Sequence, residues 1–354
     1  MSKRKLTRRQ AWRIEKVQQE KTRRAENKSA QVDELFADDS LGVEQSGRVI
    51  AHYGTLVEIE AMDTASKELP LEPSTDQPPE NPPTSRCHFR PNLGHIVVGD
   101  EVIWRPNNQN GGVIEAIKPR GTELSRPDSR GQLKAVAANI DRIFIVICSL
   151  PAPLEILIDR YLVEAERLEL EPVLVLNKSD LIDDQNRKEM DDLLSIYSNI
   201  GYSVLEVSSY SEFGMDKLAR ALDKHTSIFV GQSGVGKSSL IQTLLPSEEL
   251  KTAAVSSANL RGRHTTSTAR LYHFSSGGSL IDSPGIREFG LTHLTRRQVT
   301  DGFCEFRPYV GLCHFRDCKH LKEPRCALLE AEEKGDLHPS RLHSYRRILH
   351  EIED

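Results

Sequence analysis

The chain lacks any apolar run approaching the about eighteen residues that a bilayer-crossing helix needs, so no membrane span is expected. Its first residues are polar and basic without an apolar central segment, so they do not read as a secretory signal, and a cytoplasmic location is expected by default. No internal repeats are visible. Cysteine is sparse, with six in 354 residues, yet Cys304, Cys313, Cys318 and Cys326 fall within 23 positions of one another. Without a secretory signal, such a cluster points to a metal rather than to disulfides.

What is present is unevenly distributed. The net charge is -5, but residues 1–28 carry eleven Lys/Arg against Glu15, Glu20 and Glu26, a local +8 that leaves -13 for the rest. A basic arm on an acidic body suits a polyanionic partner, although a solvated tail has the same composition. Residues 1–45, polar and poor in large apolar side chains, are expected to form this basic, flexible arm. Over 46–120 the pattern is short and β-like: 48–53 and 55–60 flank Gly54 as a hairpin, and further strands are expected at 87–90, 101–104 and 113–117. Between them Pro70, Pro73, Pro78, Pro79, Pro82 and Pro83 mark a long exposed loop. About five short strands in this span suit a small barrel of the OB type, which commonly binds oligonucleotides.

Over 121–293 apolar strands and amphipathic helices alternate, as in a parallel α/β sheet. Strands are expected at 142–148, 172–176, 202–207, 228–230, 270–274 and 279–282, and helices at 154–168, 187–198, 215–222 and 237–245. From 294 to 354 the chain is helical and cysteine-bearing, a separate small module.

Three motifs carry the chemistry. Gly231-Gln232-Ser233-Gly234-Val235-Gly236-Lys237-Ser238 follows an apolar strand and opens a helix, the context of a phosphate loop. Its backbone N–H groups and helix dipole suit phosphate oxygens, Lys237 suits the β- and γ-phosphates, and Ser238, followed by Ser239, suits Mg²⁺. Asn177-Lys178-Ser179-Asp180 ends an earlier strand, and its carboxylate can accept from guanine N1–H and the 2-amino group. Ser208 and Ser209, ending the next strand, are candidates to buttress the base. Asp282-Ser283-Pro284-Gly285 ends the last strand, with Asp282 a Mg²⁺ ligand and Gly285 N–H a γ-phosphate contact. In the switch I position, Thr265 is the first candidate for the γ-phosphate-sensing Mg²⁺ ligand and Thr266 the alternative. Ras-like enzymes place the phosphate loop first and Asn-Lys-x-Asp near the end; here the base reader leads, so the GTPase domain is circularly permuted. Ile286 stands where Ras-like enzymes carry the glutamine that orients water. His264 is the candidate replacement, against its reading as a solvent-exposed loop histidine.

Cys313-x4-Cys318-x-His320-x5-Cys326 supplies three thiolates and an imidazole within fourteen residues. That set suits a closed, structural, tetrahedral Zn²⁺, with Cys304 and His314 as the nearest competitors for a ligand position. In the terminal stretch 340–352, Leu342, Tyr345, Leu349 and Ile352 share one face. Arg341, Arg346 and Arg347 fall elsewhere, to contact RNA phosphate or to form a solvated face.

These residues resemble the RsgA (YjeQ) family of circularly permuted GTPases, over nearly the whole chain after the basic arm. The resemblance rests on Asn177–Asp180 before Gly231–Ser238, on Gly262-Arg263-His264-Thr265-Thr266, on Asp282–Gly285 followed by an apolar residue, and on the Cys3His set. It implies an N-terminal OB barrel, a permuted GTPase domain and a C-terminal zinc domain. It also implies GTP hydrolysis stimulated by the small ribosomal subunit during late maturation or quality control, and it supports His264 as catalytic; Mg²⁺ as cofactor, rRNA contacts and a monomeric state are expected alongside. The competing reading is an assembly factor, for the small or the large subunit, that uses GTP as a structural switch with little turnover. The proline-rich insertion near 63–86 is unusual for an OB domain.

Overall fold

The computed structural model describes residues 41–62, 83–90, 93–107, 111–128, 131–245, 269–274, 277–283 and 290–353. The basic arm, nearly all of the proline-rich loop, the segment holding His264, Thr265 and Thr266, and the separate segment holding Gly285 and Ile286 lie outside the described residues. The chain divides into two compact units, one reaching to residue 119 and the other holding 97–99 and everything from 120 onward.

The first unit is a closed barrel of β1 (Gln45–His52), β2 (Leu56–Ala61), β3 (Thr84–Phe89), β4 (Glu101–Pro106) and β5 (Gly111–Ile117). Neighbours run β1-β2-β3-β5-β4, and β4 pairs back to β1. All pairings are antiparallel except β3 with β5. This is the five-stranded OB arrangement the strand count predicts. Alternation along the strands turns Val49, Val57, Ile59, Val102, Trp104 and Ile114 inward. Cys87 joins them in this apolar core, and burial there pushes its thiol up to about 12.

The second unit begins with a hairpin the sequence reading did not anticipate, β6 (Glu123–Pro127) with β7 (Leu133–Ala138). Its turn is closed by Asp128, whose carboxylate accepts the Gln132 N–H and whose carbonyl accepts the Gly131 N–H. A parallel α/β array follows: β8 (Arg142–Ile147), α1 (Glu155–Arg167), β9 (Glu171–Leu176), α2 (Asp184–Ile200), β10 (Ser203–Glu206), α3 (Met215–Leu222), β11 (Thr226–Val230), α4 (Lys237–Leu244), β12 (Arg270–His273) and β13 (Ser279–Asp282). The strand order is β10-β9-β8-β11-β13-β12, with only β12 antiparallel to its neighbour. Ile143 to Ile147 are all buried, as expected for a central strand covered on both faces. Helix α2 starts at a capping box in which the Asp183 carboxylate accepts two backbone N–H groups, and it stops at Gly201.

Helices α5 (Arg296–Gly302), α6 (Ala327–Lys334) and α7 (Pro339–Glu353) complete the chain, with a 3-10 turn at Cys304–Phe306. They belong to the same compact unit as the sheet, and α5 and α7 both pack on α1. Here one expectation changes. Arg341, assigned to RNA or to a solvated face, is fully buried between Asp159 and Glu305. No helix among the described residues is long and apolar enough to cross a membrane.

Candidate nucleotide site and metal cluster

Open α/β sheets bind ligands beyond the carboxyl ends of their strands, and the structure brings several predicted residues together there. Strand β9 runs into Asn177, then Lys178 in a left-handed conformation, then a 3-10 turn over Ser179–Leu181. Asn177 is fully buried and donates through Nδ2 to the Val235 carbonyl at 2.9 Å. The phosphate loop comes so close that a Cβ on Gly236, whose φ is +94°, would lie 2.4 Å from that nitrogen. Only glycine accommodates both the backbone conformation and the approach. Lys178 extends over the same loop and donates to the Gly234 carbonyl at 2.6 Å and the Leu150 carbonyl at 3.2 Å. Base loop and phosphate loop are thus interlocked, although 58 positions separate Asn177 from Val235.

The Asp180 carboxylate is exposed and accepts a short hydrogen bond from the Ser208 hydroxyl. Ser208, fully buried, accepts in turn from the N–H groups of Tyr210 and Ser211. The loop after β10 therefore aims the carboxylate. Ser209 follows, its carbonyl accepting from Thr243 on α4. In the phosphate loop, the Lys237 ammonium donates to the carbonyls of Gly231 and Gln232, both at 2.7 Å. Ser233, Gly234, Ser238 and Ser239 are exposed, whereas Gly231 and Val235 are buried. Gln232 turns its side chain away: Oε1 accepts the Leu154 N–H at 3.2 Å, and Nε2 donates to the Ala152 carbonyl at 3.3 Å. Asp282 ends β13, partly buried, on the strand next to β11.

The Cys3His set is a cluster in space as well as in sequence. The ligand atoms of Cys313, Cys318, His320 and Cys326 lie within 4.8 Å of one another. Cys313 Sγ and Cys326 Sγ are each 3.4 Å from His320 Nδ1, and 3.9 Å apart. Tetrahedral Zn²⁺ at ordinary bond lengths needs S···S edges of about 3.8 Å and S···N edges of about 3.6 Å. The residues therefore fit zinc, with Nδ1 as the imidazole donor. Burial pushes the Cys318 thiol up to about 12, a cost of ionisation that a bound dication reverses. Burial also holds His320 below its ordinary value, which keeps the imidazole in its neutral, ligating form. Glu323 staples the loop by accepting the N–H groups of Lys319, Leu321 and Lys322 at 3.0, 2.8 and 3.1 Å. Cys304 stands apart, with its thiol 3.2 Å from the Tyr202 hydroxyl.

The RsgA GTPase family model matches residues 117–292. The small ribosomal subunit biogenesis GTPase RsgA of Pseudomonas aeruginosa is 52% identical over 350 residues, 99% of this chain and 98% of that protein. The chain belongs to the RsgA family. Its namesake from Azotobacter vinelandii is likewise 52% identical, over 99% of this chain and 98% of that one. Among solved structures, YjeQ from Thermotoga maritima covers 88% of this chain and 99% of its own at a TM-score of 0.67 and 30% identity. YloQ, described as a circularly permuted GTPase, covers 88% of this chain and 96% of its own at a TM-score of 0.65 and 28% identity. The RsgA fold thus includes the permuted order in which Asn177–Asp180 precedes Gly231–Ser238.

Two contacts around the RsgA-type phosphate loop escaped sequence reading. Gln232 grips the segment before α1, and the Tyr161 hydroxyl, buried on α1, makes a hydrogen bond with the Gly231 backbone. Neither has a motif, because each pairs residues about 70 or more positions apart and apolar periodicity hides a buried tyrosine.

Proposed function

We propose that this protein binds GTP with Mg²⁺ and hydrolyses it to GDP and phosphate in the service of small ribosomal subunit biogenesis, with turnover stimulated by that subunit. The observation that carries the reading is the interlock of Asn177 and Lys178 with Val235 and Gly234, which joins a guanine reader to a phosphate cradle. Full-length identity with relatives named small ribosomal subunit biogenesis GTPase supports the biological role.

In this reading Asp180, aimed by Ser208, accepts from guanine N1–H and the 2-amino group, Lys178 lies along the base, and Asn177 braces the loop. The backbone of Gly231–Ser239 receives the phosphates. Lys237 exchanges its two carbonyl partners for β- and γ-phosphate oxygens and neutralises the charge that builds on the leaving diphosphate. Ser238, Asp282 and Thr265 would hold Mg²⁺, which supplies further charge neutralisation. Gly285 N–H meets the γ-phosphate. His264 orients the attacking water in place of the glutamine that Ile286 displaces. Cys313, Cys318, His320 and Cys326 would hold a structural zinc with no position left for substrate. The rRNA contacts, and action as a monomer in the cytoplasm, complete the proposal.

The base assignment is tested by Asp180→Asn. Binding of GTP should weaken and preference should move toward xanthosine triphosphate, by about a hundredfold or more in the ratio of affinities, because a hydrogen-bonding site discriminates strongly when a partner is removed. An unchanged ratio would remove Asp180 from base recognition. For the metal, elemental analysis of the purified protein should find one zinc per chain, lost in Cys326→Ala; zinc-free folded protein contradicts the assignment.

A further inference from the structure

We propose that α1 is the lever that sets the shape of the phosphate loop, and that Arg341 on α7 is the positioning residue that holds this lever. The inference rests on the reading of Gly231–Ser238 as the nucleotide's phosphate site.

Helix α1 grips the phosphate loop twice. Its N-cap, Leu154, offers no side-chain cap, and its N–H is satisfied instead by Gln232 Oε1 of the loop. Two turns on, the buried Tyr161 hydroxyl bonds the Gly231 backbone. Both ends of the sequence Gly231-Gln232 are therefore located by α1, at the point where the loop leaves β11.

The other side of α1 is held by the C-terminal helix. Asp159 precedes Tyr161 by two residues, and residues so spaced on a helix do not share a face. Asp159 is buried and takes an ion pair from Arg341 Nη1 and a 3.0 Å hydrogen bond from the Tyr197 hydroxyl of α2. Arg341 turns its remaining edge to Glu305, with Nε at 2.6 Å and Nη2 at 3.2 Å. Its guanidinium carbon lies 4.5 Å over the Phe303 ring and 5.5 Å over that of Tyr197. Burial opposes the charge, but Asp159 and then Glu305 raise the pKa above its ordinary value, so the cation persists. One planar cation thus collects α1, α2 and the turn after α5. A second tie, Arg160 to Glu351, runs from α1 to α7 alongside it.

Such a network is a costly way to add net stability, since well-packed apolar groups do as well. What it supplies is direction. Apolar helix faces can slide, whereas a guanidinium forked between two carboxylates fixes the rotation and height of the helix it holds. Because Tyr161 rides on that helix, a shift of α7 changes where Gly231 sits.

The test measures affinity for a fluorescent GDP analogue, together with thermal stability, on the full-length chain. Arg341→Lys keeps the charge but cannot fork between Asp159 and Glu305. Tyr161→Phe removes only the bond to Gly231. Each should weaken GDP binding about fivefold, the equivalent of one hydrogen bond. The double variant should be no weaker than the weaker single variant, because both act through one lever. A merely structural Arg341 predicts a lowered melting temperature with unaltered affinity in the folded fraction; that outcome, or strictly multiplicative effects in the double variant, overturns the proposal. Should Arg341→Lys fail to fold, Glu305→Gln, which leaves Arg341 paired with Asp159, takes its place under the same criteria. Failure of the wild-type chain to bind GDP would instead strike the nucleotide-site reading itself.

Discussion

At the scale of single residues, the site divides into groups a motif names and groups only packing reveals. Asn177, Asp180, Lys237 and the zinc-type ligands were legible because each sits in a short pattern with a chemical purpose. The clasp of Gln232 was not, since its partners, Ala152 and Leu154, lie some 80 positions away in sequence. Arg341 was misjudged for a related reason. A charged residue off the apolar face of a helix ordinarily meets solvent, and nothing local announces that Asp159 and Glu305 wait for it. His264 belongs to this scale too. Its replacement by alanine should lower GTP turnover about a hundredfold, the usual range for a group that positions or activates water. Affinity for GTP should hardly change. Single-turnover hydrolysis beside equilibrium binding separates the two, and equal turnover in the variant would remove His264 from the mechanism.

Among the elements, the alternation of apolar strands and amphipathic helices predicted the sheet well. The expected helix 154–168 is Glu155–Arg167, and the expected strand 142–148 is Arg142–Ile147. The hairpin of β6 and β7 escaped because its strands are short, mixed in composition and neither cleanly alternating nor wholly apolar. Helix packing was likewise invisible, and one contact shows how tight it is. A Cβ on Gly302, at the end of α5, would lie 2.8 Å from Val163 Cγ1 and 3.0 Å from its Cα on α1. Gly302→Ala should therefore push the two helices apart and cost about 1–3 kcal/mol, as overpacking of a filled core does. Urea denaturation reads this directly. Unchanged stability would mean that α5 and α1 have room to separate.

On the scale of the whole chain, the order of the parts is itself informative. The barrel precedes the base-reading half, and the cysteine-bearing segment follows Asp282–Gly285 with little chain between. Permutation keeps the strands' carboxyl ends together, which is why Asn177 and Val235 meet although their motifs have exchanged places. In sequence it also puts Asp282–Gly285, which we propose meets the γ-phosphate and Mg²⁺, ahead of α5, α6 and α7. In the proposal made above, the ties from α1 to α7, buried at Arg341–Asp159 and partly exposed at Arg160–Glu351, link the C-terminal helices to the phosphate loop. A molecule built in this way has reason to couple nucleotide turnover to the surface it grips. The most direct measurement is GTP turnover by the full-length protein with purified small ribosomal subunits, purified large subunits, or neither. The account predicts slow turnover alone, strong stimulation by small subunits and none by large ones; equal turnover in all three would contradict it.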